Sequence, residues 1–325
     1  AGANVVKHFK DLAFMGFYEV LINLRTILKN ISFCKKDILE FNPDKIIFVD
    51  YPGFNMRIAK WSKKYKFQTI YYIAPQLWAW NEKRIKKIKK YIDSLYVILP
   101  FEKEFFETKH KYPVKFLGHP LLDSISNFKK NYDSSSEQII TNKKEVIAIL
   151  PGSRKQEIKK ILNTVIKIVD YFPDHQFIVA GAPNIKLSYY KSILKNKRIK
   201  VIENKTYEIL SISTAAIVTS GTATLETALF KVPQVVCYKS SYFSYFIAKL
   251  IVNIKYISLV NLIMDQQIVK ELIQQDCNKD KIRNELEKIL DLNNKKSLQI
   301  KYDELTSILG NNGTSKRVAL DIIKK

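Results

Sequence analysis

Short apolar runs recur along the chain, each followed by a small-residue turn and an amphipathic stretch. Asp44–Asp50, Phe67–Ile73, Ser94–Leu99 and Val114–Leu117 read as strands in the first part. Glu145–Leu150, Gln176–Ala180, Lys200–Ile202, Ala215–Val218 and Gln234–Tyr238 read as strands in the second, the last of them the final clear strand. Helical spacing fills the intervals: Met56–Lys64, a very basic helix from Asn81 through Lys90, a helix opening at Pro100, then Gln156–Tyr171, Ser188–Leu194 and Tyr207–Ser211. Leu12, Met15, Val20, Leu24 and Leu28 give an apolar stripe near the start, and from Phe243 the pattern is helical to the end. Strands alternating with helices predict α/β architecture with parallel sheets. The Ser/Asn/Lys-rich stretch 127–144 reads as a boundary, which divides the chain into domains 1–135 and 136–325.

One strand–loop–helix passage organises the rest. Ala215–Val218 leads into Thr219-Ser220-Gly221-Thr222-Ala223-Thr224-Leu225-Glu226. Ser220 and Thr222 are N-cap candidates, and Gly221 lets a ligand approach the backbone. The free amides of a helix start suit a diphosphate, and a carboxylate one turn in, Glu226, suits the two hydroxyls of a ribose. Pro151-Gly152-Ser153-Arg154 repeats the arrangement, with Arg154 offering a two-pronged donor to phosphate or an ion pair to Glu157. Asp50 closes a strand where open α/β sheets bind ligands, a position for a general base or for a turn cap. His119, alone in Gly118-His119-Pro120, is expected to be structural.

Composition narrows the partners. The 325 residues carry a net charge of +23, most of it from lysine, which reflects a compositional bias, an anionic partner, or both. No nucleic-acid-binding motif appears. Cys34, Cys237 and Cys277 are too far apart in sequence for a disulfide framework or a zinc site and fit a reducing compartment. Trp78 and Trp80 beside Arg84 and the lysines of 83–90 read equally as an anionic-lipid contact or as one core Trp next to a solvated face. The apolar stripe from Phe243 to Ile251 is expected in the core, with membrane contact as the alternative. Its surroundings, Tyr242–Ile263, are too interrupted by Lys249, Asn253 and Lys255 to span a bilayer.

Several stretches, in order, resemble the lipid-A-disaccharide synthases, a family of bacterial inverting glycosyltransferases. They are Phe14–Leu21, Val49–Asn55, Ala74–Trp80, Leu99–Glu102, Gly118–Asp123, Leu150–Arg154, Ser220–Glu226 and Ser258–Leu262. The resemblance implies a GT-B architecture, two Rossmann-like domains with parallel sheets facing across a cleft. It implies transfer of a diacylated glucosamine from UDP to the 6-hydroxyl of a diacylated glucosamine 1-phosphate. In this family's terms Asp50 resembles the catalytic acidic residue, Arg154 the phosphate-side arginine, Ser220, Gly221, Thr222 and Glu226 the UDP loop, and Asn261 the motif asparagine. Trp78, Trp80 and Arg84 become candidates for membrane or acceptor contact. The resemblance implies no cofactor and no metal; the sequence has no Asp-x-Asp motif. It implies a cytoplasmic protein, peripheral on the inner face of the membrane.

The chain departs from the family pattern at Gly53, where the family carries Asp. It also lacks the family's opening strand and glycine-rich loop, which predicts an incomplete N-terminal domain, lower stability there and poor catalysis. Two other readings are a different GT-B enzyme acting on a UDP-sugar, such as an epimerase or a wall-precursor glycosyltransferase, and a non-catalytic UDP-sugar or anionic-lipid binder.

Overall fold

The computed structural model describes residues 4–7, 23–132, 144–195, 198–252 and 254–324. The Phe14–Leu21 stretch and Leu12, Met15 and Val20 lie outside these, as does most of the 127–144 boundary. The chain forms two compact units. The first comprises residues 1–77, 81–97 and 103–116; the second takes residues 78–80, 98–102 and 117–325.

The first unit holds a four-stranded sheet of β1 (Lys45–Val49), β2 (Gln68–Tyr72), β3 (Ser94–Val97) and β4 (Lys115–Phe116), in that order and all parallel. The Leu24–Phe41, Pro52–Ser62 and Ile85–Tyr91 helices accompany it. Ile58, Ala59, Tyr71, Ile88 and Leu95 form the centre of its core. The basic helix is shorter than its pattern: Asn81 takes a left-handed conformation and makes no side-chain cap, a 3₁₀ turn covers Glu82–Arg84, and α-helix begins at Ile85.

The second unit holds six parallel strands: β5 (Glu145–Leu150), β6 (His175–Gly181), β7 (Ile199–Glu203), β8 (Ser213–Thr219), β9 (Gln234–Tyr238) and β10 (Lys270–Ile273). Their spatial order is β10-β9-β8-β5-β6-β7. Read from β5, this is the doubly wound order, with the winding reversing between β5 and β8. Both strands have an apolar centre, Val146–Leu150 and Ala215–Val218, and are buried through most of their length, as a sheet covered on both faces requires.

Three expectations are corrected. β10 follows Gln234–Tyr238, which is not the last strand; Lys270–Ile273 is a four-residue strand, two polar residues then two apolar ones, paired with β9 at the end of the sheet order. The Gln156–Tyr171 helix ends at Val165, followed by a 3₁₀ turn at Val169–Tyr171. Of the stripe expected in the core, Phe246, Leu250 and Ile251 of the Tyr242–Ile251 helix are instead exposed.

Candidate functional site

The Thr219–Glu226 and Pro151–Arg154 loops leave the carboxyl ends of β8 and β5, the pair of strands between which the sheet's winding reverses. That crevice is where doubly wound sheets bind ligands. The two loops touch: a Cβ placed on Gly152 would stand 3.5 Å from Thr219 Cγ2 and 3.0 Å from Glu157 Oε2, and Gly152 has φ +96°. Any larger residue there would be strained by the positive φ and would crowd the Glu157 carboxylate, while only meeting Thr219 at ordinary contact distance.

The cap of the Thr222–Leu229 helix is Gly221, not Ser220 or Thr222, with φ 142° and no side-chain hydrogen bond to the helix start. Nothing lies within 4 Å of where its Cβ would be. Ser220 instead donates its hydroxyl to the Ile257 carbonyl at 2.7 Å. The Thr224 amide turns back to the Gly221 carbonyl at 3.2 Å, and the Thr222 and Ala223 amides ahead of it are the ones open to a ligand. Beneath them, the hydroxyl of buried Thr219 has no hydrogen-bond partner among the described residues. Thr219 was read only as part of the loop, and its orphaned hydroxyl is visible only in three dimensions.

Glu226 is partly buried and accepts a hydrogen bond from the Tyr207 hydroxyl at 3.1 Å. Burial pushes its carboxyl above the usual carboxylate range, and the Tyr207 hydrogen bond opposes that shift. Arg154 is exposed and pairs with Glu157 at 3.2 Å. An exposed pair of this kind contributes little, so the guanidinium is cheaply released to a better anion.

Asn261, the motif asparagine, lies behind the glycine loop. It is fully buried, and its amide capacity is taken up. Nδ2 donates to the Val269 carbonyl at 2.9 Å and to Glu271 Oε1 at 2.8 Å; Oδ1 accepts from the Ile268 and Val269 amides at 2.7 and 2.9 Å. Glu271 also accepts from the Ile257 and Ser258 amides at 3.0 and 2.9 Å. Asn261 and Glu271 thus pin the 257–261 loop, which leans on the glycine loop through Ser220 and through Leu259 N–H to Thr224 Oγ1 at 3.3 Å. Glu271 escaped sequence reasoning because its strand did.

In the first unit, Asp50 follows β1 as expected. Asp50 and Tyr51 are both left-handed, with φ 46° and 45°. Two successive non-glycine residues in that region cost roughly 1–3 kcal/mol each. The strain is held by a clamp on the Asp50 carbonyl, from Asn55 Nδ2 at 2.7 Å and the Tyr71 hydroxyl at 2.5 Å. Asn55 Nδ2 also reaches the Val49 carbonyl at 3.1 Å. Among the described residues none donates to the Asp50 carboxylate, which is exposed. The arrangement fixes the backbone and leaves the carboxylate available.

The two tryptophans separate. Trp78 is half-buried, donates its indole N–H to Glu102 Oε1 at 3.1 Å and meets the Phe101 ring edge-on at 4.9 Å, so it is a packing residue of the second unit. Trp80 carries the exposed indole. Arg84 is partly buried, close enough to the Tyr71 hydroxyl to influence it electrostatically. Glu102 is almost wholly buried and also accepts from the Ile98 and Leu99 amides at 3.2 and 3.0 Å. His119 is buried, its Nδ1 accepting from Leu121 N–H at 3.2 Å, and burial lowers it to about 4. It caps the Pro120–Asn131 helix, a structural use.

Two sheets of this kind, with a crevice at the winding reversal of the second, define a GT-B glycosyltransferase fold. Solved structures agree in fold. The UDP-GlcNAc 2-epimerase from Neisseria meningitidis bound to UDP-GlcNAc matches with a TM-score of 0.62 at 13% identity, covering 96% of this chain and 83% of the other. CalG4, the calicheamicin glycosyltransferase, matches at 0.57 and 13%, covering 94% and 80%.

The particular family follows from sequence. The family model described as lipid-A-disaccharide synthetase matches residues 1–320. The lipid-A-disaccharide synthase of Coxiella burnetii (strain Dugway 5J108-111) is 35% identical over 324 residues, spanning 98% of this chain and 86% of that protein. That of Persephonella marina is 34% identical over 340 residues, spanning 100% and 89%. The chain belongs to the lipid-A-disaccharide synthase family and is a glycosyltransferase of lipid A biosynthesis.

Proposed function

We propose that the chain transfers a diacylated glucosamine from UDP to the 6-hydroxyl of a diacylated glucosamine 1-phosphate, with inversion, forming the lipid A disaccharide and UDP. The observation that carries the reading is the crevice at β5 and β8, where uncapped helix amides, the orphaned Thr219 hydroxyl and Arg154 come from two loops in contact.

In this reading the second unit holds the nucleotide. The diphosphate takes the amides that start the Thr222–Leu229 helix, with Arg154 exchanging Glu157 for phosphate. Glu226, oriented by Tyr207, accepts from the ribose hydroxyls. Asn261 positions the loop behind the site and does not itself touch ligand. The first unit supplies the base. Asp50 removes the proton from the acceptor hydroxyl as its oxygen bonds to the anomeric carbon, and the bond from that carbon to the UDP oxygen breaks. Helix amides and Arg154 neutralise the charge that develops on the departing diphosphate.

Both substrates carry acyl chains, and we place the protein on the cytoplasmic face of an anionic membrane as a peripheral protein. Among the described residues no helix is long and apolar enough to cross a membrane. Exposed Leu24 and Leu28, exposed Trp80 and the lysines of 83–90 supply apolar and basic contact.

The test is a discontinuous assay with UDP-diacylglucosamine and the acceptor. Disaccharide and UDP in equal amounts, with an inverted anomeric linkage by NMR, support the reading. Conversion of the UDP-sugar to its 2-epimer, or binding without turnover, overturns it in favour of an epimerase or a binding protein.

A further inference from the structure

The Tyr242–Ile251 helix follows β9 in the second unit. Its exposed positions are apolar where they would ordinarily be polar: Phe246 is 62% exposed, Leu250 72% and Ile251 54%. Phe246 and Leu250 lie four apart, on one face, and exposed Lys249 stands beside them. Three large apolar side chains grouped on one short helix have no stabilising role in water.

The charge around the helix says what covers them. From Thr227 to Met264 there are four lysines, Lys231, Lys239, Lys249 and Lys255, and no acidic residue. Of these, Lys231 pairs with Asp303, Lys239 donates to the Cys277 carbonyl at 3.0 Å and Lys255 pairs with exposed Asp265 at 3.2 Å, which leaves Lys249 as the cation on the helix itself. Ten residues make a helix of about 15 Å, half of what a bilayer core requires, so the segment lies on a membrane rather than through it. An apolar face flanked by lysine, on a chain of net charge +23, is the composition of a helix that sits at the headgroup–acyl boundary of an anionic bilayer.

We infer that the Tyr242–Ile251 helix is a membrane-inserting element of the nucleotide-binding unit, with Phe246, Leu250 and Ile251 entering the acyl boundary and Lys249 meeting lipid phosphate. The inference rests on the peripheral membrane reading above and assigns to the second unit its own lipid contact, separate from the lysine-rich face of the first. Lysine attraction is screened by salt, whereas apolar insertion is not. The helix therefore accounts for the part of membrane binding that survives high salt.

The experiment is vesicle sedimentation of the full chain with phosphatidylcholine vesicles containing or lacking phosphatidylglycerol, at low and high salt. The variants are Phe246→Ser/Leu250→Ser and, as a first-unit control, Lys86→Ser/Lys87→Ser. The expected result is that the helix variant loses on the order of tenfold or more of its high-salt partitioning, while the lysine variant loses mainly the low-salt component. A Leu250→Trp chain that keeps the parent's far-UV spectrum reports insertion independently, through added fluorescence quenched by brominated lipid. Parent-like high-salt binding of the helix variant, with no added quenching in Leu250→Trp, overturns this assignment while leaving the membrane reading intact. Failure of the parent to bind any vesicle overturns both. A loss of self-association in the helix variant, read by sedimentation velocity, with vesicle binding unchanged, assigns the face to a second copy and overturns the lipid proposal.

Discussion

The two sheets place their functional residues in opposite surroundings. In the second unit the crevice opens at β5 and β8, strands with neighbours on both sides and side chains such as Ile149 and Ile217 at 0% exposure. In the first unit Asp50 follows β1, the edge of its sheet among the described residues, where Ile47 and Val49 are 49% and 50% exposed. The two loops proposed to hold the nucleotide inherit rigidity from a doubly covered core. Asp50, the proposed base, does not, and its geometry depends on a local clamp, Asn55 and Tyr71 on one carbonyl, that holds a strained turn. The two proposed parts of the site are thus stabilised by different means, one by packing and the other by hydrogen bonds.

The largest effect that sharpens this contrast is at Asp50. Asp50→Asn is expected to lower turnover by about 10²–10⁴ with UDP affinity unchanged by calorimetry. Turnover within a few-fold of the parent would remove Asp50 as the base.

Packing is tested next. Ile149→Ala, in the buried strand, is expected to cost roughly 2–5 kcal/mol, and Ile47→Ala, on the exposed edge, less than about 1 kcal/mol, both by urea denaturation. Equal costs would break the comparison between the two sheets.

The nucleotide site itself comes third. Arg154→Ala and Glu226→Gln are each expected to weaken UDP binding by roughly 1–3 kcal/mol. Unchanged titrations in both would move the nucleotide away from the β5–β8 crevice.

The smallest effect concerns pH and belongs to the second unit. Burial raises Glu102 from 4.5 to about 7, against the donors Leu99, Trp78 and Ile98, so the folded state binds the extra proton between those values and stability falls as pH rises through that window. Burial lowers His119 from 6.5 to about 4, so the unfolded state binds the extra proton there and stability falls as pH drops. The two slopes oppose each other from 4.5 to 6.5, and the parent is expected to be nearly flat in that range. Glu102→Gln should leave stability rising with pH, and His119→Asn, which keeps a cap acceptor, should leave it falling, each by at most about 1.4 kcal/mol per pH unit. Thermal melts across that range decide it; identical slopes in the two variants would show that neither group titrates as its burial dictates.

The alternation of apolar runs and amphipathic stretches determined the α/β class, nine of the ten strands among the described residues and the two glycine turns, because those features are written in local periodicity and in residues chosen for special backbone angles. The order of motifs determined the family. Tertiary structure alone decided the rest. β10 is a four-residue edge whose pairing with β9 stabilises it, and no local pattern marks it. Asn261 reads as a motif residue, yet its amide is consumed by backbone groups that only folding brings near. Trp78 and Trp80 are two residues apart in one basic neighbourhood, but Glu102, remote in sequence, takes the first indole and leaves the second outside. The 243–251 stripe has a core-like periodicity; whether a partner surface exists to cover such a face is a property of the packed chain, and here it leaves Phe246, Leu250 and Ile251 in solvent.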